Sequence, residues 1–374
     1  MTTLPRICIV LPNIYPVLSH SRAIEFVGGA EIQHTVAATS LAKAGYDTSV
    51  VTLDFGQPDW LECEAVKVFK SHMPGGGIPV LRFLYPRLVK TWRAMQRADA
   101  DIYLQPCAGY LTGVVSAFCR MYGRKSVFVG ASDTDFIPDK LRLSGRRDKS
   151  FFYWGVRNAH GVIVQTTKQK RLCRENYGRD ATVIPNGYEL RQPRPANRRD
   201  YVLWVGSIRD VKRPDRLIQI ARALPEYKFR MIGGPTGDGP EPQAYYRKVK
   251  AEAQTVRNLE FFGFLPYDEA EPHFDHASVF LNTSDVEGFP NTFLQSWARG
   301  IPTVSMFDPQ LTEPDVYCKA ATIDNAVASI RELIENPGIW NGYAIRCKSY
   351  FQKHHSVAAN VDRYSAFFSE LAGE

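Results

Sequence analysis

The stretch that decides the fold begins with ICIVL at residues 7–11 and continues, after a loop, with GGAEIQHTVAATSLAKAG at residues 28–45. Five apolar residues in a row are typical of a buried strand. Residues 30–43 form an amphipathic run that Gly45 closes, which indicates a helix. The two glycines between them let the backbone turn tightly. The pattern predicts a strand, a glycine loop and a helix, the opening unit of a parallel α/β sheet.

The same rhythm continues through the first half of the chain, where short apolar segments recur between helical stretches. Strands that alternate with helices pair in parallel, so we expect a doubly wound sheet. The further strands are predicted at residues 48–53, 101–105, 126–130, 161–165 and 182–185.

A polar, proline-bearing segment, RQPRPANRRD at residues 191–200, interrupts the rhythm, and we predict a linker there. Beyond it the rhythm restarts. Strands are predicted at 201–205, 228–232, 259–262, 279–282 and 303–306, and helices at 215–223, 244–254 and 291–299. We therefore expect two Rossmann-like, doubly wound α/β domains, residues 1–190 and 200–350, facing each other across a cleft. A helix at about 355–374 is expected to cross back onto the first domain. Open sheets of this kind bind ligands at the carboxyl ends of their strands.

Composition excludes several classes of protein. Hydrophobic residues make up 44% of the 374 residues and charged residues 23%, which is typical of a globular chain with buried cores. The seven cysteines are odd in number and scattered without a CxxC pair, so neither a disulfide framework nor a zinc site is indicated. No stretch has the length of a membrane span, and residues 7–11 are too short for a signal-peptide core. We predict a cytoplasmic protein.

The charge is unevenly distributed along the chain. Residues 80–199 contain 23 Lys and Arg against 9 Asp and Glu, a net charge of +14, so the remainder carries −7 of the total +7. A basic half of this kind fits anionic lipid headgroups, nucleic acid or phosphorylated substrates, and it is also compatible with an ordinary solvated surface.

The segment most informative about function is SDVEGFPNTFLQ at residues 284–295. Pro290 is suited to the first position of a helix, which leaves the main-chain N–H groups of Gly288 and Phe289 available to an anion. Because Gly288 has no side chain, a diphosphate can approach the backbone closely. Glu287 then projects beside the phosphates, where a carboxylate suits sugar hydroxyls and repels phosphate.

The helix that follows presents Asn291 and Gln295 on one face, since they are four residues apart. This polar face can meet a ligand. The alternative for this segment is structural: Ser284 and Glu287 have the spacing of a capping box at a helix start.

This segment resembles the glutamate-x7-glutamate motif of family 4 retaining glycosyltransferases, whose usual form reads Glu-Gly-Phe-Pro-Asn-Thr-Phe-Leu-Glu. GGAE at residues 28–31, WVGSIRDVKRP at 204–214 and MIGGP at 231–235 follow the order and spacing of the same family. The resemblance implies a GT-B fold and transfer with retention of anomeric configuration. It also implies no metal and no cofactor, with a nucleotide-diphosphate sugar as co-substrate. The first domain is then on the acceptor side, and the second binds the nucleotide sugar.

By position, the resemblance implies that Glu287 contacts the donor sugar and that the backbone of Gly288 and Phe289 lies beside the phosphates. Gln295 stands where the family usually has its second glutamate, which binds the ribose diol. An ionised acceptor makes stronger hydrogen bonds than an amide, so this departure is expected to cost about 1–2 kcal/mol, or roughly tenfold in donor affinity. It also fits another nucleotide or an inactive relative.

The resemblance further implies that Lys212 binds the diphosphate. Ser207 stands where many members have an arginine, and Arg209, near the same strand end, is the expected replacement. Such cations stabilise the charge that develops on a leaving nucleoside diphosphate.

Other ligand contacts are expected on neighbouring loops. They comprise Gly28 and Gly29 on the first domain, Gly234 in MIGGP, and the nucleobase-side loop with Gly263, Phe264 and Leu265. Family members tend to hold a histidine or another polar group after the strand equivalent to residues 126–130. Here Asp133 is the candidate, with a simple turn or cap aspartate as the alternative.

Together these features predict transfer of a hexose or N-acetylhexosamine from a UDP- or GDP-sugar to a glycan or lipid-linked acceptor. Contact with the inner face of a membrane would suit the basic first domain. The main alternative is a catalytically silent GT-B protein that binds a sugar nucleotide or a partner, because of Gln295 and the missing loop histidine. A sugar-nucleotide epimerase would need an acid–base cluster that the sequence does not supply. Nucleic-acid binding depends on the basic patch alone.

Overall fold

The computed structural model describes residues 4–21, 28–78, 81–141, 143, 145–190, 199–237, 239–311 and 313–373. The chain divides into two compact units. Unit 1 comprises Met1–Gly187 together with Val357–Glu374, and unit 2 comprises Tyr188–Ser356. Of the predicted linker at residues 191–200, the first eight residues lie outside the described ranges.

Unit 1 contains an eight-stranded sheet in the order β3-β4-β2-β1-β5-β6-β7-β8. The strands are β1 (Ile7–Val10), β2 (Thr48–Thr52), β3 (Trp60–Cys63), β4 (Val66–Lys70), β5 (Ile102–Pro106), β6 (Lys125–Val129), β7 (Gly161–Val164) and β8 (Thr182–Val183). The helices are α1 (Ile14–Leu18), α2 (Gly29–Lys43), α3 (Val89–Ala98), α4 (Tyr110–Tyr122), α5 (Arg146–Asn158), α6 (Thr167–Tyr177) and α13 (Val357–Ala372).

Two features of unit 1 differ from the sequence prediction. The β3–β4 hairpin was not predicted, and among the described residues of this sheet it makes the one antiparallel pairing, since the other pairings are parallel. The helix predicted from residue 30 begins at Gly29, and its buried side includes Gln33, His34 and Thr39. The helix is therefore not the amphipathic one that was predicted, because polar side chains lie on its inward surface.

Unit 2 contains a six-stranded, fully parallel sheet in the order β11-β10-β9-β12-β13-β14. The strands are β9 (Tyr201–Val205), β10 (Phe229–Ile232), β11 (Leu259–Gly263), β12 (Ala277–Asn282), β13 (Thr303–Ser305) and β14 (Cys318–Lys319). The helices are α7 (Pro214–Ala223), α8 (Pro240–Ala253), α9 (Tyr267–Asp275), α10 (Asn291–Ala298), α11 (Ile323–Glu335) and α12 (Pro337–His354).

Strand β9 shows how unit 2 is built in three layers. Successive side chains of a strand point to opposite faces of the sheet. Val202 and Trp204 belong to the apolar core that contains Leu217 of α7, whereas Leu203 belongs to the core that contains Trp297 of α10. Both faces of the sheet are covered by helices, as parallel sheets require. The prediction of two Rossmann-like α/β units is confirmed.

Candidate functional site

The candidate site of unit 2 lies where the strand order of its sheet reverses. The chain passes from β9 outward through β10 and β11 and then returns to place β12 on the other side of β9. The connections that leave the carboxyl ends of β9 and β12 therefore diverge, and a crevice between such connections is the usual ligand site of an open α/β sheet. Residues 206–213 follow β9, and residues 283–290 follow β12.

Thr283 connects these two loops through hydrogen bonds. Its side chain is fully buried, and its Oγ1 accepts a hydrogen bond from Trp204 Nε1 at 2.9 Å and donates one to the carbonyl of Lys212 at 2.8 Å. The N–H of Asp285 donates to the carbonyl of Val211 at 2.9 Å. The main chain at Lys212 is thus fixed relative to the loop that carries Glu287.

Glu287 and Lys212 form the charged centre of the site. Lys212 Nζ lies 2.5 Å from Oε1 and 2.6 Å from Oε2 of Glu287, and Ser284 Oγ donates to Oε1 at 2.6 Å. Glu287 is only 9% exposed. Burial raises the pKa of its carboxyl, but the charge and hydrogen bonds of Lys212, with help from Ser284 and Arg209, hold that pKa below its ordinary value of 4.5.

The ionisation of Glu287 limits its chemistry. A carboxylate with a lowered pKa is an acceptor of hydrogen bonds at neutral pH and is poorly matched to general acid–base catalysis there. It suits hydroxyl groups that must be oriented. Lys212, together with the charge of Arg209, provides the positive potential for an anion beside it.

The capping-box alternative for Ser284 and Glu287 is wrong. Ser284 does contact Glu287, but the helix α10 begins only at Asn291. Pro290 immediately precedes that helix rather than occupying its first position, because its ψ of 120° is extended; its carbonyl accepts from the N–H of Phe293 at 3.0 Å.

Between Glu287 and α10, side chains pack inward, whereas the backbone lies at the start of the helix. The Phe289 ring is buried, with its centroid 4.6 Å from that of His355 and 6.0 Å from that of Trp297. Gly288 and Asn291 are half-buried. Because the Phe289 side chain is packed inside the protein, a ligand contact at Gly288 and Phe289 would have to involve their main chain. Their role with a ligand stays a prediction.

Gln295 is engaged in a polar network that the sequence did not predict. Its Nε2 donates to Glu271 Oε1 at 2.6 Å, and the Gln295 side chain is buried. Arg299 Nη2 and the Tyr188 hydroxyl donate to the other oxygen of Glu271 at 2.6 and 2.7 Å. Arg299 lies four residues beyond Gln295, so helical spacing alone could have related them. No spacing in the sequence related Glu271 to Gln295, because Glu271 lies on a different helix, α9.

The remaining predicted residues of unit 2 lie on neighbouring loops at the same edge of the sheet. Half-buried Ser207 and Arg209 flank Ile208, whose N–H donates to the carbonyl of Gly234 at 2.8 Å. A Cβ at Gly234 would lie 2.7 Å from Cβ of Phe264, so this close approach of two loops requires glycine. The next loop residue, Leu265, packs on the apolar core beside α10. The carboxyl ends of β9, β10 and β11 thus bring together the predicted nucleotide-side residues.

The other predicted residues belong to unit 1. Gly28 precedes α2 and Gly29 is its first residue. The Glu31 carboxylate lies against Gly28, and burial raises its pKa. The contact of this carboxylate with Gly28 at the helix start was not predicted.

Asp133 follows β6, as expected, and is buried with its Oδ2 2.8 Å from Nζ of Lys168. Asp133 is the first residue of a short 3-10 turn, Asp133–Phe136, whose capping box is formed by Ser132 and Asp135. It is therefore a turn aspartate but not the cap, and its role near the reacting carbon stays a prediction. Lys168, at the start of α6, was missed by sequence reasoning because a lone lysine there carries no pattern.

The described ranges contain no group of three or more His, Cys, Asp or Glu residues placed to hold a metal ion. Within those ranges, too, no helix combines the length and apolar character that crossing a membrane requires.

Comparison with known proteins agrees with this architecture. The family description "Glycosyltransferase Family 4" matches residues 27–192, and "Glycosyl transferases group 1" matches residues 189–338. D-inositol 3-phosphate glycosyltransferase from Nocardiopsis dassonvillei is 36% identical over 211 residues, 49% of this chain and 49% of that protein. The match therefore spans about half the length of this relative.

Solved structures resemble the whole chain. Sucrose-phosphate synthase from Thermosynechococcus elongatus has a TM-score of 0.79 at 16% identity, covering 99% of this chain and 100% of the other. HepE from Anabaena, solved with UDP and glucose, has a TM-score of 0.74 at 14% identity, covering 98% and 100%. At such identities the likeness concerns the fold, and it confirms the predicted GT-B type.

Proposed function

We propose that this chain, which belongs to family 4 of the glycosyltransferases, moves a hexose or N-acetylhexosamine from a UDP- or GDP-sugar to a glycan or lipid-linked acceptor, with retention of configuration. The observation that carries the proposal is the contact of Lys212 with Glu287 at the switch point of the unit 2 sheet, with Ser284 on the same carboxylate. One cation for the diphosphate and one ionised acceptor for the sugar are what a nucleotide-sugar site needs.

In the proposed reaction, the bond between the anomeric carbon and the leaving phosphate oxygen breaks while an acceptor hydroxyl attacks from the same face. The leaving nucleoside diphosphate gains negative charge, which Lys212, Arg209 and the main chain near Gly288 would stabilise more than they stabilise the donor. The acceptor proton would pass to the departing phosphate oxygen. Glu287 would orient the sugar through its hydroxyls, and its lowered pKa argues against a role as the base.

The donor class is supported by a structural neighbour, since HepE was solved with UDP and glucose. The acceptor class is supported by charge. The relative from Nocardiopsis dassonvillei is named for an anionic acceptor, inositol 3-phosphate, and residues 80–199 of this chain carry a net charge of +14. The basic stretch fits an acceptor with phosphate or diphosphate groups.

The proposal includes independence from metal ions and contact with a membrane surface. Lys212 and Arg209 would take the place of a cation at the diphosphate, so chelators should leave turnover unchanged. On unit 1, exposed Leu81, Leu84 and Tyr85 lie in the same short segment as Arg82 and Arg87. Apolar side chains beside basic ones suit an anionic membrane surface, and co-sedimentation with anionic vesicles tests this contact.

A panel of UDP- and GDP-sugars tests the proposed function. At least one of them should raise the melting temperature and be hydrolysed slowly without an acceptor. Indifference to every nucleotide sugar would contradict the proposal.

The second candidate, a catalytically silent protein that binds a sugar nucleotide, is favoured by the amide at residue 295. It predicts a thermal shift with a nucleotide sugar but no hydrolysis and no transfer. Measuring turnover as well as the thermal shift across the panel therefore distinguishes the two candidates.

A further inference from the structure

Two cations of unit 1 are half-buried and have no acidic partner. Arg87 lies in the π-helical turn Phe83–Leu88, which leads directly into α3, and Lys90 is the second residue of α3. Of the residues that the structure describes, none provides a carboxylate for an ion pair with either cation. Lys168, by contrast, is paired with Asp133 on the same unit. Arg87 and Lys90 are therefore available to an anion from outside the chain.

His72 lies next to this pair of cations, and its ring has an open hydrogen-bonding position. It follows β4 by two residues and is only 7% exposed. Nδ1 lies 3.5 Å from Oγ1 of Thr91, and within the described ranges the ring makes no further hydrogen bond, so Nε2 is left for a ligand. Arg87 precedes Thr91 by four residues and Lys90 precedes it by one, so the helical segment that contacts the ring also carries both cations.

The protonation of His72 follows from these neighbours. Burial lowers the pKa of its imidazole most, and the charges of Arg87 and Lys90 lower it further, to about 4. The ring is therefore neutral at neutral pH and carries one N–H donor. With Thr91 as the donor to Nδ1, the ring proton is on Nε2. A guanidinium, an ammonium group and this N–H are all donors, and the oxygen atoms of an ionised phosphate are all acceptors.

The three side chains lie at the edge of the unit 1 sheet where its strands end. His72 comes after β4, and Leu111, the second residue of the helix that follows β5, lines the same small cavity as His72 and Thr91. Open α/β sheets bind their ligands at this edge. Asp54, whose N–H donates to the carbonyl of His72, has its Oδ2 3.5 Å from Nζ of Lys70. This neighbouring carboxylate is thus already compensated by another cation.

We propose that His72, Arg87 and Lys90 bind a phosphate group of the acceptor. This inference rests on the proposed function and assigns recognition of the acceptor's phosphate to a defined place on unit 1. The guanidinium can hold two phosphate oxygens at once, the ammonium group adds a point charge, and the imidazole adds an uncharged donor. Two kinds of acceptor share this chemistry: a soluble phosphorylated sugar or polyol, and a polyprenyl phosphate in a membrane.

Paired probes with and without phosphate test the site and identify the source of the phosphate. Titration calorimetry compares D-inositol 3-phosphate with myo-inositol, and co-sedimentation compares phosphatidylcholine vesicles that contain polyprenyl phosphate with vesicles that contain polyprenol. In at least one of these comparisons the wild-type protein should bind the phosphorylated probe tenfold or more tightly, because charge-assisted hydrogen bonds form only with the phosphate. The comparison that shows the preference names the source.

Arg87→Gln with Lys90→Gln should reduce this preference to within about twofold, because both charges are lost. Lys140→Gln with Arg174→Gln is the matched control, since it removes the same charge from exposed positions of unit 1, and it should keep the preference. Should the first pair fail to fold, Lys90→Gln alone decides. Its preference should fall about fivefold, because one of the two cations remains.

A preference that survives in folded Arg87→Gln with Lys90→Gln would overturn the inference, and so would an equal loss in the control pair. An unchanged preference in Lys90→Gln alone would overturn it where the pair does not fold. A wild-type protein that ignores the phosphate in both comparisons would overturn it as well. If the preference is found but no nucleotide sugar is bound or turned over, the proposed function fails, and the assignment of the phosphate to an acceptor fails with it.

Discussion

At the scale of single residues, the site is organised by the pairing of Glu287 with Lys212. Each is the nearest counter-ion of the other, and Glu287 is nearly buried. Removing one partner of such a pair leaves an uncompensated charge, which is costly in a poorly solvated place. In the proposed reaction, an arriving diphosphate would compete with Glu287 for the ammonium group, and the sugar hydroxyls would offer Glu287 new donors.

The pKa of Glu287 determines when this arrangement is intact. The pKa in the folded chain lies below the ordinary value of 4.5, so folding favours the ionised form. The stability from this carboxylate is present above pH 4.5 and is lost as the pH falls through the lower pKa of the folded state. Over the neutral range Glu287 is charged throughout, so its effect on donor binding should not vary with pH there.

Glu287→Gln should weaken binding of the donor's sugar without weakening binding of its diphosphate. We expect the affinity for the best donor of the panel to fall about tenfold, because an amide makes weaker hydrogen bonds to the sugar hydroxyls. The affinity for the bare nucleoside diphosphate should stay within about twofold or rise, since Lys212 is released from its counter-ion. Titration calorimetry measures both. Glu260→Gln, at an exposed position in β11, is the control, and an equal loss for both ligands would refute the sugar role of Glu287.

At the scale of elements, the critical feature is the junction of β9 with β12. Thr283, the first residue after β12, is bonded to Trp204 of β9 and to the carbonyl of Lys212. The Thr283 hydroxyl therefore links the sheet, through Trp204, to the loop that carries the Lys212 ammonium group. The main chain at Lys212 is thus held both by the turn Asp210–Lys212 and by hydrogen bonds to residues that follow β12.

Thr283→Val should disturb this junction. The isosteric change removes two buried hydrogen bonds and leaves the Trp204 N–H without its partner, so the free energy of unfolding should fall by about 1–3 kcal/mol. The KM for the donor should rise several-fold, because Lys212 is less well held. Thr303→Val is the matched control, since it removes a hydrogen bond from the buried Trp297 Nε1 at 3.0 Å. Thr303→Val should lower stability without a change in the KM for the donor. If the KM of Thr283→Val equals that of Thr303→Val, Thr283 does not position Lys212.

Elements with regular apolar spacing could be predicted from the sequence, and the exceptions have physical reasons. Strand β9 was predicted with its observed bounds, and α10 to within one residue. The β3–β4 hairpin escaped because its turn, Glu64–Ala65, adopts positive φ angles of 49° and 61° without glycine or asparagine. Helix α2 was found through Gly28 and Gly29, yet its buried polar side chains depend on packing that local spacing does not encode.

At the scale of the whole molecule, the repeat of the strand–helix rhythm after residue 200 was enough to predict two Rossmann-like units. The residues expected at the nucleotide follow the strands that were predicted to precede them, and parallel strands present their carboxyl ends at one edge. Side-chain pairings were not predictable. Lys212 and Glu287 are 75 residues apart in the chain, and Gln295 and Glu271 are 24 apart on different helices. Only the sheet order brings such pairs together.

We propose that unit 2 binds the diphosphate of a sugar nucleotide through Lys212. Titration calorimetry of the wild-type protein with UDP, GDP and the corresponding nucleosides tests this most directly, with Lys212→Ala as the variant and Lys250→Ala, at an exposed position of α8, as the control. We expect Lys212→Ala to weaken diphosphate binding at least tenfold, or by about 1.4 kcal/mol, and to leave nucleoside binding unchanged. Equal affinities for the diphosphate in Lys212→Ala and Lys250→Ala would contradict it.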